Sequence, residues 1–237
     1  ADVPSKWPLS LVETRLSIKF PGVVHGPLVD LCIAAGVLLL FFVFVRWFSR
    51  RITKNISAVV VAGFVFVLCS NLIHGPWYGL VYPHHGTPQV SQAASHYYRD
   101  ALEVSSAGQF LREFEQVQRE LGCHSRTHPP GAVLFYYALI RTVGHGAAVS
   151  ITIAALSVGL SGLFLHGVLR HEFDRDTCGY VTLLLLLMPA VQIYYCASLD
   201  AVIATCFLGV LLFLRHPSVR LSVAGMIVCL FCASFLT

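Results

Sequence analysis

The sequence predicts an all-α protein, a polytopic transmembrane helical bundle of five to six spans with a helical extracytoplasmic loop and one short re-entrant or juxtamembrane helix. Three observations predict it. Hydrophobic residues make up 56% of the chain and charged residues only 12%, where a soluble domain carries about 25% charge. Mean hydropathy is +0.72. The apolar residues are gathered in runs near the roughly 20 residues that a spanning helix needs, and most Lys and Arg residues fall between the runs.

Taken in order, residues 1–28 form an N-terminal segment without the basic-then-apolar order of a signal peptide. Runs at 29–48 and 57–73 give the first two spans, so 29–74 is one membrane section. Residues 75–145 form a long polar loop, and 146–237 return to the membrane through runs at 146–169, 178–197 and 201–214. A sixth, 221–236, spans if the chain continues. Ala1 in place of Met, and an apolar run at the end, predict a fragment or a processed chain of something longer, truncated at its C-terminus.

Orientation follows from the basic residues. Arg46, Arg50, Arg51 and Lys54 separate the first two spans; Arg170 and Arg175 separate the third and fourth; Arg215 and Arg220 separate the fifth and sixth. All three groups fall on one side if 75–145 lies on the other, so the positive-inside rule makes that loop extracytoplasmic. Lys6, Arg15 and Lys19 would then also lie outside, which a preceding helix would explain. The net charge of +4 comes from these short runs and implies no nucleic-acid partner. Of eight cysteines, all but Cys123 lie in or beside apolar runs, where a thiol packs as a small hydrophobe. No disulfide framework follows, and Cys229 and Cys232 read as packing residues.

Within the loop, Ser105 or Ser106 can cap a helix over 109–121 that Gly122 stops. Phe110, Leu111, Phe114, Val117 and Leu121 share its apolar face, and Glu115 and Arg119 have favourable i,i+4 spacing. Such a face lies on lipid or packs on the protein itself. The apolar stretch 132–143 is too short to span, so it is the re-entrant or juxtamembrane helix, opened by Pro129 and Pro130.

Candidate chemistry gathers in three places. The first is His124-Ser125-Arg126-Thr127-His128-Pro129-Pro130-Gly131. Prolines at a helix start set its direction at little cost, and the N–H groups after them favour an anion. Arg126 offers a fork of donors suited to phosphate, and His124 and His128 can donate to the same anion. The plainer reading is a stiff turn that aims the next helix. The second place is His96-Tyr97-Tyr98-Arg99-Asp100-Ala101-Leu102-Glu103. A carboxylate there can act as general base, and Tyr97 and Tyr98 can stack on sugar faces; the plainer reading is a solvated loop with a surface Arg–Asp pair. The third is Asp200, a costly carboxylate at a membrane edge, where Ser198 or Asp200 equally suits a helix N-cap.

Six of eleven histidines fall in the loop, at 84, 85, 96, 124 and 128 and, at its very end, 145. His124 and His128 stand four residues apart, but no HxxxH or HxxEH spacing falls on a predicted helix, so no metal ligands are assigned. The absence of GxSxG, Walker and GxGxxG patterns disfavours soluble hydrolase, nucleotidase and dehydrogenase readings.

A long outer loop with a carboxylate, followed by a His-Pro-Pro element opening a short apolar helix, resembles the GT-C polytopic glycosyltransferases. Within them it is similar to the mannosyltransferase and aminoarabinose-transferase branch. Thr127-His128-Pro129-Pro130-Gly131, with Phe110-Leu111-Arg112-Glu113-Phe114 before it, looks like uncharacterised bacterial membrane proteins grouped there. The similarity runs over about residues 58–237, the N-terminal membrane part of such an enzyme. It implies a bacterial inner-membrane protein, a polyprenyl-phosphate-linked sugar as donor, membrane lipid as surroundings and an outer-loop carboxylate as base. By position that base is Asp100, with Glu103 as rival. Asp200, following Pro189, matches the second acid, and Arg126 and His128 match the groups on donor phosphate. No cofactor is fixed, and a divalent metal is compatible. The pattern usually continues with Leu where this chain has Gly131. The competing expectation is a non-catalytic lipid-phosphate-binding membrane protein, such as a flippase or transporter subunit. A membrane phosphatase is a third, without a nucleophile motif.

Overall fold

A computed structural model describes residues 51–72, 79–80 and 92–237, together with the helical positions Gly36, Leu39, Val43 and Arg46. The expectations for segment 1–28, for the rest of span 29–48 and for His84 and His85 lie outside the described residues. Helix is the only regular structure among the described residues. The helices are α1 (Ile56–Leu72), α2 (Gln92–Glu103), α3 (Ala107–Val117), α4 (Gly131–Val143), α5 (Ala147–Leu169), α6 (Arg175–Leu186), α7 (Pro189–Tyr194), α8 (Leu199–Leu214) and α9 (Val219–Leu236), with a single 3₁₀ turn at Ser125–Thr127.

By length and apolarity, two of these can cross a membrane: α5, with 23 residues, and α9, with 18. Helices α1, α4 and α8 are apolar but shorter; at 1.5 Å per residue, α1 and α8 reach about 25 Å. Two described helices, not the expected five to six, are therefore long and apolar enough to span.

The expected span 178–197 is not one helix. Pro189 lacks the N–H that would continue the ladder, and Met188 before it is pushed into extended backbone, at φ −62 and ψ 139. The chain breaks into α6 and α7 there. Side chains close the gap: Gln192 Nε2 donates to the Leu186 carbonyl at 2.6 Å, while Ser70 Oγ donates to Gln192 Oε1 at 2.9 Å. Asn71 Nδ2 donates to the Gln192 carbonyl at 2.8 Å.

The loop is more helical than expected. The His96–Glu103 cluster lies on α2 rather than in a solvated loop. The expected 109–121 helix begins at Ala107 and ends at Val117, short of Gly122. Arg119 thus falls beyond the helix, and the Glu115–Arg119 pairing across one helical turn does not arise. Ser106 stands at the N-cap, but its side chain makes no capping bond. The apolar face packs on the protein itself: Phe110 joins Tyr98, Ala101, Val133, Tyr136, Val149 and Ile153 in one core, with Phe114, Val117 and Leu121 against it. Leu111, expected on that face, is 48% exposed.

A second core unites α1, α5, α6 and α8 through Val59, Val67, Ala154, Val158, Leu183, Leu186 and Ala201. The basic loops meet at one end of this bundle: Arg215 Nη1 pairs with Glu172 Oε1 at 2.6 Å, and Gly179 lies against the Thr53 backbone. The opposite end holds α2, α3, α4, α7 and the start of α8. There Tyr136 Oη donates to the Ala197 carbonyl at 2.9 Å. Gly146, at φ +58, donates its N–H to Tyr98 Oη at 2.9 Å, fixing the turn between α4 and α5.

Candidate functional site

The His124–Gly131 element is built from local rules. Pro129 excludes the helical region for the residue before it, so His128 is extended, at φ −116 and ψ 160, and the 3₁₀ turn ends there. Pro130, at φ −63 and ψ −15, is already in helical geometry and starts α4. Gln118 Nε2 ties the turn down by donating to the Arg126 carbonyl at 2.7 Å.

Helix α2 holds the other side of the turn with two acceptors one helical turn apart. The His124 N–H donates to His96 Nδ1 at 3.1 Å, and the Gly122 N–H donates to Asp100 Oδ2 at 3.0 Å. Tyr97 lies between the turn and α8. Its ring is edge-on to His128 at 5.7 Å and 6.4 Å from that of His124. Burial first, and then the nearby Asp200 charge, hold the Tyr97 phenol above its usual pKa. Asp200 sits in the first turn of α8, where the helix dipole favours a negative charge. Ser198 is the N-cap: its Oγ accepts from the Asp200 N–H at 3.0 Å and lies 3.2 Å from Asp200 Oδ2.

Tyr97, His124, His128 and Asp100 are thus brought together, with Asp200 joined to them through Tyr97. Glu103 is exposed at the end of α2 and does not join the group. Arg126 is exposed and rests on Cys123 Sγ at 3.9 Å; among the described residues it makes no ion pair with any of the candidate carboxylates.

Two expectations are corrected. Tyr98 is fully buried, edge-on to Tyr136 at 6.1 Å, so it is a core residue with no face to offer a sugar. The start of α4 is not an open anion site. Ala132 and Val133 are fully buried, and the Phe235 carbonyl at the end of α9 lies where a side chain on Gly131 would begin. The same contact accounts for glycine at 131, because any Cβ would meet that backbone. His128 Nδ1 also contacts the Thr237 carbonyl, so the end of α9 covers this side of the bend.

Sequence reasoning passed over His96 as a separate actor. The signal was present, since His96 and Asp100 have the i,i+4 spacing that puts both on one helix face. It also passed over Ser125, which is 1% exposed and whose Oγ has no hydrogen-bond partner among the described residues. Among the described residues no three His, Cys, Asp or Glu side chains converge as a metal set. No family model, curated protein or solved structure matches the chain.

Proposed function

We propose that this chain is the membrane part of a GT-C-type glycosyltransferase that moves a sugar from a polyprenyl-phosphate donor to an extracytoplasmic acceptor. In this reading α1, α5, the α6–α7 pair, α8 and α9 cross a bacterial inner membrane. The three basic loops face the cytoplasm, and the loop 75–145 faces outward. The gathering of those loops at one end of the bundle supports this orientation.

The observation that carries the reading is the position of Tyr97, with the bend histidines at its ring and the Asp200 charge at its phenol. A phosphate-binding group and a carboxylate must share one outer site for inverting transfer, and here imidazole and carboxylate groups flank one aromatic ring. The acceptor oxygen attacks C1 of the sugar, the C1–O bond to phosphate breaks, and the acceptor proton passes to a carboxylate. Asp100 is that base, through the oxygen that the Gly122 N–H leaves free. Arg126, which solvent reaches, and His128 and His124 hold the departing lipid phosphate and stabilise its growing charge.

The test is transfer from a polyprenyl-phosphate sugar by the full-length protein in proteoliposomes. Asp100→Asn is expected to lower the rate by roughly 10²- to 10⁴-fold, the usual worth of a general base. Arg126→Ala is expected to raise the donor KM. Loss in Glu103→Gln alone moves the base to Glu103. Full activity in Asp100→Asn, Glu103→Gln and Asp200→Asn alike overturns the reading, and donor binding without any transfer by the wild type favours the flippase alternative.

A further inference from the structure

We propose that His96 is a pH-sensitive latch on the Gly122–His128 turn, holding it closed as neutral imidazole and releasing it when the ring takes a proton. The latch itself follows from the geometry of the turn alone; only its consequence, that acid loosens the phosphate-binding groups, rests on the sugar-transfer reading.

The central observation is which atom accepts. His96 Nδ1 receives the His124 N–H at 3.1 Å, and a ring nitrogen can accept only when it carries no proton. The hydrogen bond therefore requires the neutral ring, with its hydrogen on Nε2. Protonation puts N–H against N–H, so a bond is lost and two donors face each other. The ring cannot swing clear, because it is 9% exposed and Gly122 lies against it. A Cβ at 122 would stand 2.8 Å from His96 Cγ.

The charged neighbours are few. From the turn, the His124 ring faces His96 at 5.7 Å. From α2 itself come Asp100 and Arg99. Burial is the main force keeping the ring neutral, the His124 charge adds to it, Asp100 opposes and Arg99 again adds. The net effect lowers the pKa of His96 from the ordinary 6.5. A proton thus binds the unfolded or opened form more readily than the closed one. The closing contribution is complete above the ordinary histidine pKa and is lost as pH falls through the lowered value. Asp100 is the second acceptor of the clamp, so losing the His96 bond removes one of two hydrogen bonds and the turn loosens at its His124 side first.

The experiment is amide hydrogen exchange at residues 122–124 of the full chain in detergent micelles between pH 7.5 and 5, corrected for intrinsic exchange. Protection of the His124 amide is expected to fall roughly tenfold for each unit by which closure lowers the titration of His96. His96→Asn keeps an acceptor oxygen near the Nδ1 position and cannot titrate, so its protection is expected to stay flat. A flat wild-type profile, or an equal fall in His96→Asn, overturns the latch. Should that variant not fold, ¹⁵N imidazole shifts of the wild type decide: Nδ1 gaining its proton as protection falls supports the latch, and protection falling while Nδ1 stays unprotonated overturns it. Because no step reads sugar transfer, failure of the transferase reading leaves this outcome distinguishable.

Discussion

Gln192 stands 9% exposed beside the break at Pro189, and Gln192→Leu tests whether its amide is what holds that break. The substitution nearly preserves volume, so the change is one of hydrogen bonding. Besides its own N–H bond to the Met188 carbonyl, three bonds involve this residue, and they respond differently. Asn71 donates to the Gln192 backbone carbonyl, which survives. Ser70 Oγ also lies 2.9 Å from the Val67 carbonyl and keeps that partner. The Leu186 carbonyl loses the side-chain donor at 2.6 Å, and no proline-free ladder is present to replace it. The cost is that of one buried unsatisfied carbonyl, about 1–3 kcal/mol, or roughly 5- to 150-fold in the unfolding equilibrium. Adding Ser70→Ala should then cost little more, since that hydroxyl has already lost Gln192 and keeps only the Val67 carbonyl of its own helix. Denaturant titration in mixed micelles, followed by circular dichroism, measures both variants. Unchanged stability in Gln192→Leu would refute the argument that this amide holds the break.

Three further outcomes follow from single contacts. Tyr136→Phe removes the donor to the Ala197 carbonyl and is expected to cost about 1 kcal/mol in the same titration. Gly131→Ala gains helix propensity of up to about 1 kcal/mol, but its Cβ meets the Phe235 backbone, so a net loss of about 1–3 kcal/mol is expected, with the end of α9 released to faster amide exchange. Asp174 caps α6 by accepting from the Asp176 and Thr177 N–H groups, at 2.9 and 3.0 Å. The Thr177 hydroxyl is the main cause of its lowered pKa. Its contribution is therefore full above the ordinary value of 3.8 and lost as pH falls through the lowered one; Asp174→Ala should lower Tm at neutral pH and flatten the acid limb of the Tm–pH curve.

Much of the architecture was legible because lipid-scale apolarity and proline are strong local signals. The runs at 57–73, 146–169, 201–214 and 221–236 became α1, α5, α8 and α9 with shifts of a few residues. Pro189 lay in plain view inside the 178–197 run, but apolarity outweighed it there, and the break appears only where Gln192, Ser70 and Asn71 can satisfy the freed groups. The amphipathic pattern in the loop fixed a helix face but not its partner. Leu111 failed to join that face because only part of a helix stripe meets a neighbour.

At the site, the backbone of the bend was determined by Pro129 and Pro130 alone, since proline sterics act between adjacent residues. What lies against the bend was decided by tertiary structure. Tyr98 turned inward while Tyr97 stayed at the histidines, because α2 presents neighbouring residues to different surroundings. The Phe235 carbonyl closed the start of α4, a contact between residues about a hundred positions apart that no local pattern encodes. The sequence by itself determined the long apolar helices and the bend at Pro129 and Pro130, because those depend on short-range sterics and apolarity. Only the tertiary structure decided which polar groups meet, because that depends on which helix faces find each other in space.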